Sequence, residues 1–181
     1  MSDAAPAIPP DKILLEIVTP KGRALRAITD EVEAPSQGGE FGVLPGHLPI
    51  LAALRTGIVT YRVGQETKRC AVGVGFVEAD GNHVLILSDE FAERETIDPV
   101  VIRKELAETQ VELGKLEVLA AEEPDKAQER RHVLILRENW LAAQLELYGD
   151  PPAPTLRPYE EFGPPAVDEE EEEGSEPRAE A

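Results

Sequence analysis

Three histidines, one cysteine and a few clustered carboxylates are the side chains of this 181-residue chain best suited to acid–base, nucleophilic or metal chemistry. His47 lies in a Pro-Gly turn, His83 in a strand-like run and His132 in a helical run, and none has a neighbour at ligand spacing. Cys70 is the single cysteine, so no internal disulfide can form. It reads as a small, partly buried hydrophobe of a reducing compartment, and Lys68 and Arg69 give it only a weakly basic setting. Asp89, Glu90 and Glu93 could serve as an acid–base set, but carboxylates at the junction of two segments are ordinarily just solvated. GVGFVE, from Gly73, begins like a dinucleotide loop, yet Glu78 stands where a third glycine belongs and no helix follows. No Gly-Lys-Ser/Thr phosphate loop is present. The chain therefore reads as non-catalytic, with no cofactor and no metal.

The informative segment is Gly38 to Gly57, GGEFGVLPGHLPILAALRTG, with five glycines and two prolines among apolar residues. Pro45-Gly46 is a turn pair, because proline presets φ and glycine accepts a positive one. Pro49 has no N–H to give a ladder, which excludes that point from a central strand. The segment reads as a shaped docking surface, with Gly42, Pro45 and Gly46 setting the backbone.

From Lys12 to about Thr96 short runs alternate with turn signals. Ile13, Leu15 and Ile17 alternate with Leu14, Glu16 and Val18, and Val59, Tyr61 and Val63 with Thr60 and Arg62. The continuous run Val84–Leu87 predicts a strand covered on both faces. Asp80-Gly81 marks a hairpin before it. After Ile97 the period becomes helical. Asp98 is placed to cap, Pro99 sits where a missing N–H costs nothing, and Ile97 with Ile102 forms a hydrophobic staple.

Ile102, Leu106, Leu113, Leu116 and Ala120 make one apolar stripe of this first helix. Glu123-Pro124 ends it, and Asp125 with Gln128 resembles a capping box for a second. The second helix carries Val133, Leu136, Trp140 and Leu147 in one row, with Leu134, Leu141 and Leu145 beside it, and stops at Gly149. The fold class is thus β + α. An N-terminal β-sandwich, or flattened barrel, is followed by an antiparallel two-helix hairpin and a disordered acidic tail. The expected boundaries are 1–11 for an N-terminal extension, 12–96 for the sandwich, 97–149 for the hairpin and 150–181 for the tail.

The 36 acidic and 18 basic residues give a formal charge of −18. From Asp150 onward there are 11 acids and 2 bases, so half of that charge lies in the tail. This balance argues against a nucleic-acid partner. No run approaches the ~20 apolar residues of a membrane helix. The opening MSDAAPAIPPD lacks the basic and apolar parts of a signal peptide.

Gly39-Glu40-Phe41-Gly42, Pro45-Gly46-His47-Leu48-Pro49, the apolar Ile50–Leu54 and Gly57 together closely resemble the epsilon subunit family of the F-type ATP synthase. GVGFVEADGNHVLILSD, Gly73 to Asp89, is similar to that family's paired glycines, hairpin and closing strand. The resemblance covers roughly residues 12–148. It implies a central-stalk rotor subunit, peripheral on the cytoplasmic face of a bacterial plasma membrane, whose partners are the gamma subunit, the c-ring and the alpha/beta catalytic head. It carries c-ring contact onto Glu40, Phe41, Gly42, Pro45, Gly46 and His47, with Glu40 and His47 as the polar contacts.

In the family the hairpin folds onto the sandwich or extends along gamma to obstruct hydrolysis. The regulatory charge maps to Arg130, Arg131 and Arg137, and the absence of bases from Glu138 to Tyr148 argues against strong inhibition. The family's nucleotide pattern is broken here: Ile97-Asp98 matches its start, Val101 stands at the arginine position, and Arg103 is the nearest base. A free-standing sandwich adaptor and a small hydrolase built on the acids near Glu90 are the competing readings.

Overall fold

The computed structural model describes residues 8–119 and 124–152. Ten strands precede two helices: β1 Ile13–Thr19, β2 Gly22–Thr29, β3 Glu31–Ser36, β4 Gly39–Val43, β5 His47–Leu54, β6 Gly57–Val63, β7 Glu66–Val72, β8 Gly75–Gly81, β9 His83–Ser88 and β10 Phe91–Ala92. A 3-10 turn, Arg94–Thr96, leads to α1, Pro99–Leu119, and then α2, Pro124–Tyr148. The strands run β10-β7-β6-β3-β5-β8-β9-β1-β2 across one sheet, with β4 on the other edge of β3. Every pairing is antiparallel except β1 with β9.

The sheet curls over one core, as the alternation in β1 requires. Ile13, Leu15 and Ile17 point inward, fully buried with Val59, Val72, Val77, Val84 and Ile86, while Glu16 stays outward. One expectation fails here. β9 is central, but of the Val84–Leu87 run only Val84 and Ile86 are buried; Leu85 is half-buried and Leu87 exposed, because nothing among the described residues covers the outer face. Pro49 lies in β5 as expected of a residue kept out of a doubly paired position: β5 meets β3 only at Leu54, so at Pro49 only the β8 side is paired. The ladder accommodates it through an irregularity between His47 and Ile50, where no N–H is demanded. The hairpin between β8 and β9 forms one residue later than Asp80-Gly81 indicates, since Asp80 pairs with His83 across Gly81-Asn82.

The paired glycines have a packing reason. A Cβ at Gly73 would stand 1.9 Å from Asp89 Oδ1, and one at Gly75 1.9 Å from the Leu87 carbonyl oxygen. The glycines thus let strands close on one another, which removes the dinucleotide-loop reading.

Asp98 caps α1 through Oδ1, which accepts hydrogen bonds from the N–H groups of Val100 (3.0 Å) and Val101 (3.3 Å). Ile97 and Ile102 meet in one cluster, as a staple requires. α2 ends at Gly149, where the Gly149 and Asp150 N–H groups donate to the Leu145 carbonyl. The α1 stripe is buried at Leu106, Leu113 and Leu116, and Ala120, the side chain of Asp125 and residues 153–181 lie outside the described residues.

The α2 row is rotated from the expected one: Val133 is exposed at 62%, and the seam toward α1 is Leu134, Glu138, Leu141 and Leu145. Leu147 and Ala143, with Trp140 half-buried beside them, instead dock on Ala71 and Ala92 of the sandwich. A helix packed on two neighbours needs two buried stripes, and the sequence cannot say which one is shared out.

Candidate functional site

The Pro45-Gly46 pair makes the turn that the residues demand. His47 donates its N–H to the Leu44 carbonyl at 3.0 Å, and Gly46 adopts φ +80, the second central position of a type II turn. The Gly46 N–H donates to the Gly81 carbonyl, which ties this turn to the β8–β9 hairpin. His47 sits half-buried at the rim with Nδ1 2.7 Å from the Leu48 carbonyl oxygen. Leu44 and Leu48 beside it are exposed at 54% and 81%, far more than a turn needs for its own stability.

Glu40 is elsewhere. Its strand pairs with the end of β3, and its carboxylate lies 3.6 Å from Arg55, just beyond the far end of β5. Glu40 and His47 therefore stand at opposite ends of β5, roughly 20 Å of strand apart. Phe41 between them packs on the core. Gly42 has no positive φ and a Cβ there would meet nothing within 4 Å, so backbone shaping does not extend to it. The segment is thus two separate rims joined by β5, a strand in which only Leu54 is buried.

A feature not read from the sequence lies on the outer face of β5, β8 and β9. Ala53 stands opposite Phe76, and Phe76 opposite Leu87. Phe76 and Leu87 are 56% and 47% exposed, and Leu51 near them 72%. The signal was present in the unbroken Val84–Leu87 run, whose outward half has no cover within the described chain. Contiguous exposed apolar side chains of this kind mark a contact surface.

Cys70, His83 and His132 stand on separate elements, β7, β9 and α2. Cys70 is buried, and burial, with a smaller contribution from nearby Glu93, pushes its thiol up to about 12, far from a reactive thiolate. His83 Nε2 lies 3.1 Å from Glu16 Oε2 on the outer sheet face, and His132 is exposed on α2. No cluster of potential metal ligands occurs among the described residues. No described helix is long and apolar enough to cross a membrane.

In the hairpin, Asp98 is engaged as a cap and Arg103 Nε donates to Asp150 at 2.7 Å, so both candidates for nucleotide contact already serve the hairpin's base. Arg137 pairs with Glu105 across the helices at 3.0 Å. Arg130 is exposed and Arg131 half-buried.

Residues 12–94 match the family profile described as "ATP synthase, Delta/Epsilon chain, beta-sandwich domain". Over 102 residues the chain is 43% identical to the ATP synthase epsilon chain of Syntrophobacter fumaroxidans, covering 56% of this chain and 75% of that one. Against ATP synthase epsilon chain 2 of Syntrophotalea carbinolica, identity is 39% over 106 residues, 59% of this chain and 72% of the relative. A chain in the solved Euglena gracilis mitochondrial ATP synthase, OSCP/F1/c-ring in rotational state 1, superposes with TM-score 0.61 at 23% identity. That superposition covers 80% of this chain and 85% of the other, and it is a likeness of fold.

Proposed function

The chain belongs to the ATP synthase epsilon chain family, and from that membership we propose that it is the non-catalytic central-stalk rotor subunit of a proton-translocating F-type ATP synthase. It is a subunit of an enzyme complex, and in this reading it has no active site of its own. It couples the catalytic head to the c-ring through gamma, and it associates with the cytoplasmic face of a bacterial inner membrane only through that complex.

The observation that carries the docking part is the pair of exposed leucines, Leu44 and Leu48, flanking a rigid Pro45-Gly46 turn with His47. A rigid rim with an apolar surround and one polar tip suits a small loop on the ring. Glu40, with its carboxylate 76% exposed, supplies a second contact at the other end of β5, and its charge suits a basic or amide-rich loop. The exposed Leu51, Phe76 and Leu87 face is the side we assign to gamma. Cysteines placed at Glu40 and His47 should cross-link to the c-subunit loop in assembled enzyme, and loss of both cross-links removes the ring assignment. Phe76→Glu should abolish co-purification with gamma while leaving the isolated fold intact.

Regulation rests on the hairpin. Arg130, Arg131 and Arg137 are the charges we assign to the catalytic head, and Arg137 must leave Glu105 to reach it. Truncation after Thr96 should raise ATP hydrolysis by the assembled enzyme if the hairpin restrains it; an unchanged rate excludes inhibition. The adaptor alternative loses its ground if gamma and c subunits co-purify with the chain.

A further inference from the structure

The exposed outer face of β5, β8 and β9 holds one residue at odds with an apolar contact. Glu78 projects from β8 on the same side as Phe76, because residues two apart in a strand share a face. It pairs with Leu51 on β5 and with Leu85 on β9, so a leucine stands on either hand. Leu87 lies opposite Phe76 and is a diagonal neighbour of Glu78, about 7–8 Å away. An exposed carboxylate is thus set among the apolar side chains of the face.

A second carboxylate on the same row shows what this one lacks. Across the sheet from Glu78, Leu85 comes next and Glu16 after it. Glu16 is ringed by basic side chains. Arg23 Nη1 and Arg26 Nε each stand 3.5 Å from its Oε1, and His83 Nε2 stands 3.1 Å from its Oε2. Glu78 is two strands away, roughly 10 Å, and makes no hydrogen bond or ion pair with another described residue. The chain supplies partners for one acid of the row and leaves the other to water.

Covering the face removes that water. A carboxylate stripped of solvent with no counter-charge opposes burial of the leucines and phenylalanine around it. A surface that covers this face therefore has to bring a cation to Glu78, together with apolar side chains for the rest. Resting on the assignment of this face to gamma, we propose that Glu78 is the charged anchor of that contact. The gamma surface supplies one lysine or arginine to it, bordered by apolar side chains that pack on Leu51, Phe76 and Leu87. Enclosed by that apolar ring, the pair fixes the orientation of the two subunits. A surface without the cation is refused, because it strips the carboxylate and gives nothing back.

The full-length chain, titrated onto purified alpha/beta/gamma complex that lacks it, gives the affinity. Glu78→Leu is the decisive variant, because it makes the face more apolar. It should nevertheless weaken binding by about tenfold or more, since it leaves the cation of gamma buried and unpaired. Glu78→Gln should lose less, and both variants should keep the parent's far-UV circular dichroism. Raising salt should weaken the parent more steeply than Glu78→Leu. Equal or tighter binding by Glu78→Leu overturns the anchor, and is the result expected of a carboxylate that serves only solubility. Phe76→Glu separates this inference from the reading beneath it. Binding lost in Phe76→Glu but kept in Glu78→Leu strikes the anchor alone. Binding unchanged in both strikes the assignment of the face to gamma, and the anchor with it.

Discussion

The sandwich and the hairpin bury their apolar residues in different ways, and the difference bears on what each can do. The sandwich has one core with residues from most of its strands, many at 0% exposure, such as Ile13, Leu15, Ile17, Val59 and Ile86. The hairpin has small separate clusters: Leu113, Leu116, Leu134 and Ile135 toward its tip, and Leu106, Leu141 and Leu145 toward its base. Between them lies a polar layer. Thr109 donates to the Glu105 carbonyl at 2.8 Å, and Gln110 to buried Glu138 at 3.2 Å. A third cluster, of Ala143, Leu147 and Ile97 against Ala71 and Ala92, joins the hairpin to the sandwich. A single continuous core unfolds as a unit, whereas clusters interrupted by a polar layer open locally. The sandwich is therefore built to open as one unit, and the hairpin to open locally within itself.

The strongest break of this contrast is Leu15→Ala. Removing a fully buried leucine from the common core should cost about 2–5 kcal/mol, read as a lower denaturation midpoint by every probe at once. Leu141→Ala removes a comparable side chain from the hairpin, at a cost of about 2 kcal/mol. Here amide exchange in α1 and α2 should quicken while β1 and β9 keep their protection; loss in both regions would show the two to be one cooperative unit.

Gly114→Ala sharpens the comparison in the opposite direction. A Cβ there meets nothing within 4 Å, so the helix should gain up to about 1 kcal/mol. That gain should appear as slower exchange in the hairpin alone.

The smallest effect concerns a corner of the sandwich. Asp30 accepts from Lys12 and from the Gly64 N–H, and these hold its carboxyl below the ordinary 3.8. A lowered pKa stabilises the fold above the ordinary value and loses that contribution as pH falls through the folded one. Asp30→Asn should therefore lower Tm at pH 7, and the gap to the parent should close on acidification below pH 3.8, leaving hairpin exchange unaffected at pH 7.

Much of the architecture was legible in local residue order. Alternation in β1 and β6, the Asp98-Pro99 start, the Ile97–Ile102 staple, the Pro45-Gly46 turn and the Gly149 stop are each contained within a few residues, where side-chain chemistry acts on its own backbone. The family motif was legible for the same reason, since a rigid turn requires particular residues in a particular order. Its surface was not. Glu40 and His47 are seven positions apart, and only the course of β4 and β5 shows that they occupy different rims.

The same limit explains the other departures. Local order told β9 to be a strand, but its outer face is bare because no other layer of the described chain lies across it. Local order told α2 to be amphipathic, but Val133 faces out because α1 and the sandwich divide the helix between two stripes. Pro49 behaves as local order told it to, since β5 meets β3 only at Leu54 and the irregularity beside Pro49 is where the ladder to β8 avoids needing its N–H. Periodicity along a chain specifies which side chains share a face; what covers that face depends on contacts between residues far apart in sequence, and those form only when the whole sheet closes and the hairpin settles on it.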